Sequence, residues 1–96
     1  MTYEQLEAMS NDELNALVAK HRNGALLDYC GDLNAAWALE REAPAMRVTM
    51  DGGLCKVEFY DIYAVFDDTI TRVYGQLDEV ARTVVRAWLE WRMGCL

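Results

Sequence analysis

The residues that could do chemistry are few and scattered. His21 is the single histidine, and it sits between Lys20 and Arg22 at the end of a helical pattern. A positive side chain there complements the helix dipole, so its role reads as capping. A nucleophilic pair would need a cysteine or serine beside it with an orienting acid. Cys30 is the nearest in sequence, and nothing marks it as activated. Cys30, Cys55 and Cys95 are odd in number, widely spaced and without a CxxC pair. That spacing excludes a disulfide framework or zinc site and predicts reduced thiols. Asp32, Asp51, Asp61, Asp67 and Asp68 supply carboxylates at element ends. They form neither a calcium-binding loop of the helix–loop–helix type nor a D-x-D pair, and aspartates are ordinary in turns. Gly52-Gly53 lacks the Lys-Ser/Thr and the helix of a phosphate loop. The sequence therefore predicts no catalytic residue, no metal, no cofactor and no enzyme activity.

The elements that would position any site follow from periodicity. Thr2-x-x-Gln5 and Ser10-x-x-Glu13 are two capping boxes. They open a short helical turn over 3–9 and a longer helix over 11–22 with Leu14, Leu17 and Val18 on its apolar stripe. Asn23-Gly24 supplies a left-handed cap. Residues 25–31 form a connection with apolar anchors at Leu26, Leu27 and Tyr29. Asp32 is the next cap candidate, with Asp28 as an earlier alternative, and the helix runs to about 42 with Leu33, Ala36 and Trp37 aligned, before Pro44 stops it. From Met46 the period becomes two. Met46, Val48 and Met50 precede the Asp51-Gly52-Gly53 hairpin turn, and Cys55, Val57 and Phe59 follow it. Ile62, Ala64 and Phe66 alternate next, then Arg72 and Tyr74 against Thr71 and Val73. The last helix spans about 77–93, with Leu77, Ala81, Val84, Trp88 and Trp91 as its stripe and Asp78, Glu79, Arg82, Arg86, Glu90 and Arg92 on the opposite, polar side.

The expected fold is one α+β domain over residues 1–96: a small antiparallel sheet of three to four strands, with helices packed as an alpha-beta-alpha sandwich in the order α-α-α-β-β-β(-β)-α. The second sheet face carries Leu54, Tyr60, Tyr63 and Val65 beside Lys56 and Glu58. It is too apolar to be simply wet, which predicts partial cover by the N-terminal helices or another subunit.

Charge bounds the partners. The net charge is −7, and residues 1–45 carry eight acids against Lys20, Arg22 and Arg41. Such a field repels a phosphate backbone, so direct nucleic-acid binding is not expected. No apolar run approaches a membrane span, and the N-terminus does not look like a secretory leader. Both point to the cytoplasm. Trp37 and Trp88 read as core. Trp91, near the end of the chain, and Tyr60, Asp61, Tyr63, Asp67 and Asp68, where tyrosines alternate with acids, are the candidate partner-binding residues.

The stretch Asp28-Tyr29-Cys30-Gly31-Asp32-Leu33-Asn34-Ala35-Ala36-Trp37 resembles the "D-Y-x-x-D-(I/L)-x-x-A-W" signature of the small phage- and prophage-encoded ABA-sandwich domains of unknown function. Ala81-Arg82-Thr83-Val84-Val85-Arg86-Ala87-Trp88-Leu89 is similar to that family's closing helix. Where the family has a strand tryptophan, this chain has Cys55, Val57 and Phe59. The resemblance implies an alpha-beta-alpha sandwich and a phage origin, and it carries no catalytic residues. The expectation is a small acidic phage accessory protein in the host cytoplasm. It would bind a host protein or protein complex, as an inhibitor of a host defence of the anti-CRISPR kind or of a replication component. The alternatives are a structural homo-oligomer such as a homodimer, or a sponge for a nucleotide signal.

Overall fold

A computed structural model describes residues 2–42, 45–60 and 69–94. Four α-helices, α1 (Tyr3–Ala8), α2 (Asn11–Arg22), α3 (Leu33–Ala38) and α4 (Val80–Met93), accompany three strands, β1 (Ala45–Asp51), β2 (Leu54–Tyr60) and β3 (Thr69–Gln76). Short 3-10 turns, Leu39–Glu42 and Leu77–Glu79, follow α3 and precede α4. The α+β class and the order of elements are those expected from the sequence. The pattern at Ile62, Ala64 and Phe66, the basis for a fourth strand, lies outside the described residues.

Local chemistry sets the helix starts. Both capping boxes form, each with the hydroxyl accepting from the N3 amide and the N3 side chain accepting from the cap amide. Each cap is worth about 1 kcal/mol. Helix α2 ends where Asn23 itself takes the left-handed conformation at φ 52°, and its amide donates to the last-turn carbonyls.

The sheet is a meander in the order β1-β2-β3, antiparallel throughout. The two-residue turn at Gly52 and Gly53, with φ 58° and 82°, pairs Asp51 with Leu54. This register places Val48, Val57 and Val73 in one row on the inner face and Arg47, Glu58 and Arg72 in a row on the outer face. A register irregularity at Phe59/Tyr60 ends the regular pairing of β2 with β3.

Helix α4 is the centre of the molecule. It touches β2, β3 and each of the other three helices. Ala81, Thr83, Val84, Val85, Ala87, Trp88 and Leu89 are all buried, so burial extends well around the helix. Gly75 lets α4 come close to β3, because a Cβ there would collide with Thr83. Arg82, which the sequence pattern placed on a solvent face, reaches back to the first two helices. Its guanidinium donates to the backbone oxygens of Glu7 (3.0 Å) and Met9 (2.6 Å) and to Asn11 Oδ1 (2.7 Å).

Helices α1, α2 and α3 pack on α4, so among the described residues the helices stack in two layers on the inner face of the sheet. On the outer face Arg47, Thr49, Asp51, Leu54, Arg72 and Tyr74 are exposed, while Lys56 and Tyr60 are half-buried and Glu58 is buried. Its charged rows satisfy themselves. Glu58, only 6% exposed, accepts from Arg72 Nε at 3.2 Å and lies 3.4 Å from Lys56 Nζ, while the Arg47 guanidinium stands 5.1 Å over the Tyr60 ring.

Candidate partner-binding surface

Residues 25–37 are held in place by polar groups that the helix pattern did not announce. Asn15 sits in α2 between Leu14 and Val18 and is 6% exposed. Its Oδ1 accepts from the Cys30 amide at 2.9 Å, and its Nδ2 donates to Asp28 Oδ1 at 3.1 Å. The same Asp28 oxygen accepts from the Gly31 amide at 3.1 Å, closing the turn. A Cβ at Gly31 would strike that carboxylate, so a larger residue there would displace the Asp28 side chain from its hydrogen bonds. Tyr29 is 1% exposed; its hydroxyl donates to Ala25 O at 3.2 Å and accepts from Arg22 Nη1 at 3.1 Å. Arg22 in turn donates from Nε to Glu42 Oε1 at 2.8 Å, bracing the 3-10 turn after α3. Asp32 caps α3 through the Asn34 amide at 2.9 Å.

This scaffold presents apolar side chains outward. Leu26 is 68% exposed, Leu27 48%, Leu33 45% and Trp37 40%. The expectation that Leu26 and Leu27 anchor the connection, and that Leu33 and Trp37 face the core, is corrected here. The reason is helical phase. Ala36 and Leu39, both fully buried, are the positions that enter the core, and the small Ala36 suits close approach to α4. Trp37 lies one residue on, rotated by about 100° away from Ala36. Leu26 and Leu27 line a shallow cavity with Asp12, Asn15 and Asp28, so apolar surface and carboxylates lie side by side. The ten-residue signature thus divides by role: Asp28, Tyr29, Gly31, Asp32 and Ala36 build the segment, and Leu33 and Trp37 are displayed by it.

Of the residues singled out from sequence as partner-binding, Tyr60 ends β2, half-buried beneath Arg47. Trp91 is half-buried too. It packs with ring centroids 6.3 Å from Phe59 and 6.5 Å from Trp88, joining it to the edge of the core. Asp61, Tyr63, Asp67 and Asp68 lie outside the described residues. The structure therefore puts Tyr60 on the sheet and Trp91 on α4, away from the 25–37 segment in the chain.

Two thiols, Cys30 and Cys55, lie among the described residues, and Cys95 lies outside them. Burial pushes the Cys30 thiol up to about 11, with Arg82 pulling it down and Asp28 adding to the rise. It is a neutral thiol at pH 7, without the thiolate character a nucleophile needs. Cys55 is buried, its Sγ 3.4 Å from the Gln76 carbonyl oxygen. Among the described residues no three His, Cys, Asp or Glu side chains gather as metal ligands, and no helix is long and apolar enough to cross a membrane.

The chain matches no protein-family model, no curated protein and no solved structure. The surface has to be read on its own physics.

Proposed function

We propose that this chain is a small acidic binding protein that docks on another protein through residues 25–37. The observation that carries the reading is the pairing of four exposed large apolar side chains with a hydrogen-bonded scaffold that fixes their backbone. Preorganised apolar side chains bind with little ordering cost, and tryptophan is the residue most enriched at interface hot spots. Asp12, Asp28 and Asp32 lie in or beside the segment, so the complementary partner offers an apolar pocket with basic residues at its rim. The resemblance to phage ABA-sandwich domains favours a phage accessory role, with a host protein or protein complex of a defence or replication system as the target.

The test is capture from host extract with the intact chain and with a Leu33→Ala/Trp37→Ala variant of unchanged circular dichroism. The reading predicts a partner retained by the first and lost by the second. Retention should survive about 0.5 M salt, where the Debye length falls below about 5 Å and exposed charge pairs are screened. Equal retention by both chains would refute it, and loss of retention by salt alone would move the contact to the acidic residues. The homo-oligomer reading draws on the open outer face, where Leu54 and Tyr74 are 48% and 59% exposed. Light scattering at tens of micromolar separates the two, since a strict monomer removes it.

A further inference from the structure

A different feature is the open edge of the sheet. Strand β1 stands at the end of the order β1-β2-β3, and among the described residues no strand pairs with its outer side. Such an edge offers a row of unpaired amides and carbonyls to another chain, and proline, a bulge or an inward-pointing charge usually blunts it. β1 has none of these. It holds no proline or glycine, pairs with β2 without a break, and sets Met46, Val48 and Met50 on the inner face opposite Phe59, Val57 and Cys55. Met50 is left 57% exposed there. The opposite edge, β3, differs, with Gly75 in the strand and a register irregularity in its pairing with β2.

The backbone phase of this edge follows from the hairpin. A two-residue turn closes on a hydrogen-bonded pair, here Asp51 with Leu54, so Arg47, Thr49 and Asp51 direct their amides to β2. Val48 and Met50 therefore turn theirs to the open side. On the outer face Arg47 and Asp51 flank Thr49 symmetrically, and all three are exposed. Arg47 stacks on the Tyr60 ring, but neither it nor Asp51 has an ion-pair partner among the described residues.

We propose that a second copy of this chain docks on this edge, its β1 antiparallel to the first about a twofold axis at Thr49, so that one sheet runs through both copies. In this register Val48 and Met50 exchange backbone hydrogen bonds with the partner's Met50 and Val48, which also covers Met50 on the inner face. Arg47 comes opposite the partner's Asp51, and Asp51 opposite the partner's Arg47. Thr49 meets its own counterpart. Opposite charges and paired threonines are favourable cross-strand neighbours, and these fall at non-hydrogen-bonded positions, where side chains are closest. Charge selects the register: an axis at Val48 or Met50 leaves Arg47 and Asp51 unmatched, and one at Arg47 sets two arginines face to face. Copies of net charge −7 repel, and the edge is a place where each presents a balanced pair. The proposal does not rest on docking through residues 25–37, nor on the outer face of the sheet.

The experiment is sedimentation velocity of the whole chain from about 20 µM to about 1 mM, since a short edge buries less than the roughly 1,200 Å² of a stable interface and pairs weakly. The expected result is a coefficient that rises with concentration towards that of a dimer. Asp51→Arg sets like charges opposite each other at both ends of the contact and should weaken association about tenfold or more. It also makes the chain less negative, which through general repulsion alone would strengthen association, so the sign is diagnostic. Thr49→Cys, on the axis, should oxidise to a disulfide between two copies, mapped by mass spectrometry, because opposed residues there bring their Cα atoms to about 4.5 Å. Asp51→Arg in the same chain should slow that linkage. A chain that stays monomeric at about 1 mM overturns the proposal. So does a dimer that Asp51→Arg leaves unchanged, or one abolished by Tyr74→Ser on the outer face or by Leu33→Ala/Trp37→Ala. Capture of a partner through Trp37 stands or falls separately from each of these outcomes.

Discussion

Asn15 offers the sharpest test of how the 25–37 segment is held. Truncation to alanine removes the acceptor of the Cys30 amide, which is buried, and the donor to Asp28, which is exposed. The two losses differ in kind. Asp28 regains water, so that contact costs about 0.5–1 kcal/mol, while the Cys30 amide stays buried without a partner at a cost of about 1–3 kcal/mol. Asn15→Ala is therefore expected to lose about 1.5–4 kcal/mol, a large share of the 5–15 kcal/mol typical of a small domain. Urea unfolding followed by tryptophan fluorescence and far-UV circular dichroism measures it. Asn15→Asp keeps the acceptor for Cys30 but sets a carboxylate against Asp28, so it should be destabilised too. Combining it with Asp28→Asn removes the like-charge contact and restores a donor–acceptor pair across the same 3.1 Å contact, but it takes from the Gly31 amide the oxygen that accepts its hydrogen bond, so it should recover part of the loss and not all of it. A loss under about 0.5 kcal/mol in Asn15→Ala, or no recovery in the swapped pair, would refute the bracket as the element that fixes the segment.

Arg82→Ala should cost about 2–3 kcal/mol, because it strips three hydrogen bonds that tie the end of α1 and the start of α2 to α4; Arg82→Lys should recover less than half, and denaturant midpoints decide both. Cys30 should resist iodoacetamide at pH 7.5 until the chain unfolds, since its thiol is raised to about 11 by burial; mass spectrometry of the alkylated peptide reports it. Two glutamates should shape acid stability in opposite senses. Burial raises the Glu58 carboxyl, but Arg72 and Lys56 outweigh it and hold the carboxyl below its ordinary range, so its contribution is present above the unfolded value near 4.3 and is lost as pH falls through the lower folded value. Glu58→Gln should therefore be less stable at pH 7 and lose less stability in acid. Glu90 is raised by burial, with Arg86 opposing, so Glu90→Gln should gain stability at neutral pH and lose that advantage as the solution is acidified and the wild-type carboxyl protonates.

Much of the fold was legible because local signals and burial agreed. Ser10 and Glu13 named the start of α2, Asn23-Gly24 its end, and Gly52-Gly53 the hairpin register. The alternation of Cys55, Val57 and Phe59 named the inner face. The phase of α3 was not legible, because a six-residue helix has too few turns to average out its choice between Trp37 and Ala36. Size argued for tryptophan inside, whereas the close contact with α4 selected the smaller residue. Arg82 looked solvated because nothing local says that the carbonyls of Glu7 and Met9 lie within reach of it. Asn15 did carry a signal, a polar residue between two core positions on one helix, and an amide so placed must find partners. Which residues of the Asp28–Trp37 stretch build the segment and which it displays required the burial of each side chain.

The central claim is that Trp37 is exposed in order to be covered. The direct measurement is the dissociation constant of the proposed protein partner, taken from the capture experiment, for the intact chain and for Trp37→Ala, both by titration calorimetry, with matched urea midpoints as the control for folding. A tryptophan anchor at a docking surface is expected to cost about 2 kcal/mol or more on truncation, a weakening of about thirtyfold or greater. An unchanged dissociation constant in a folded Trp37→Ala chain would contradict the account.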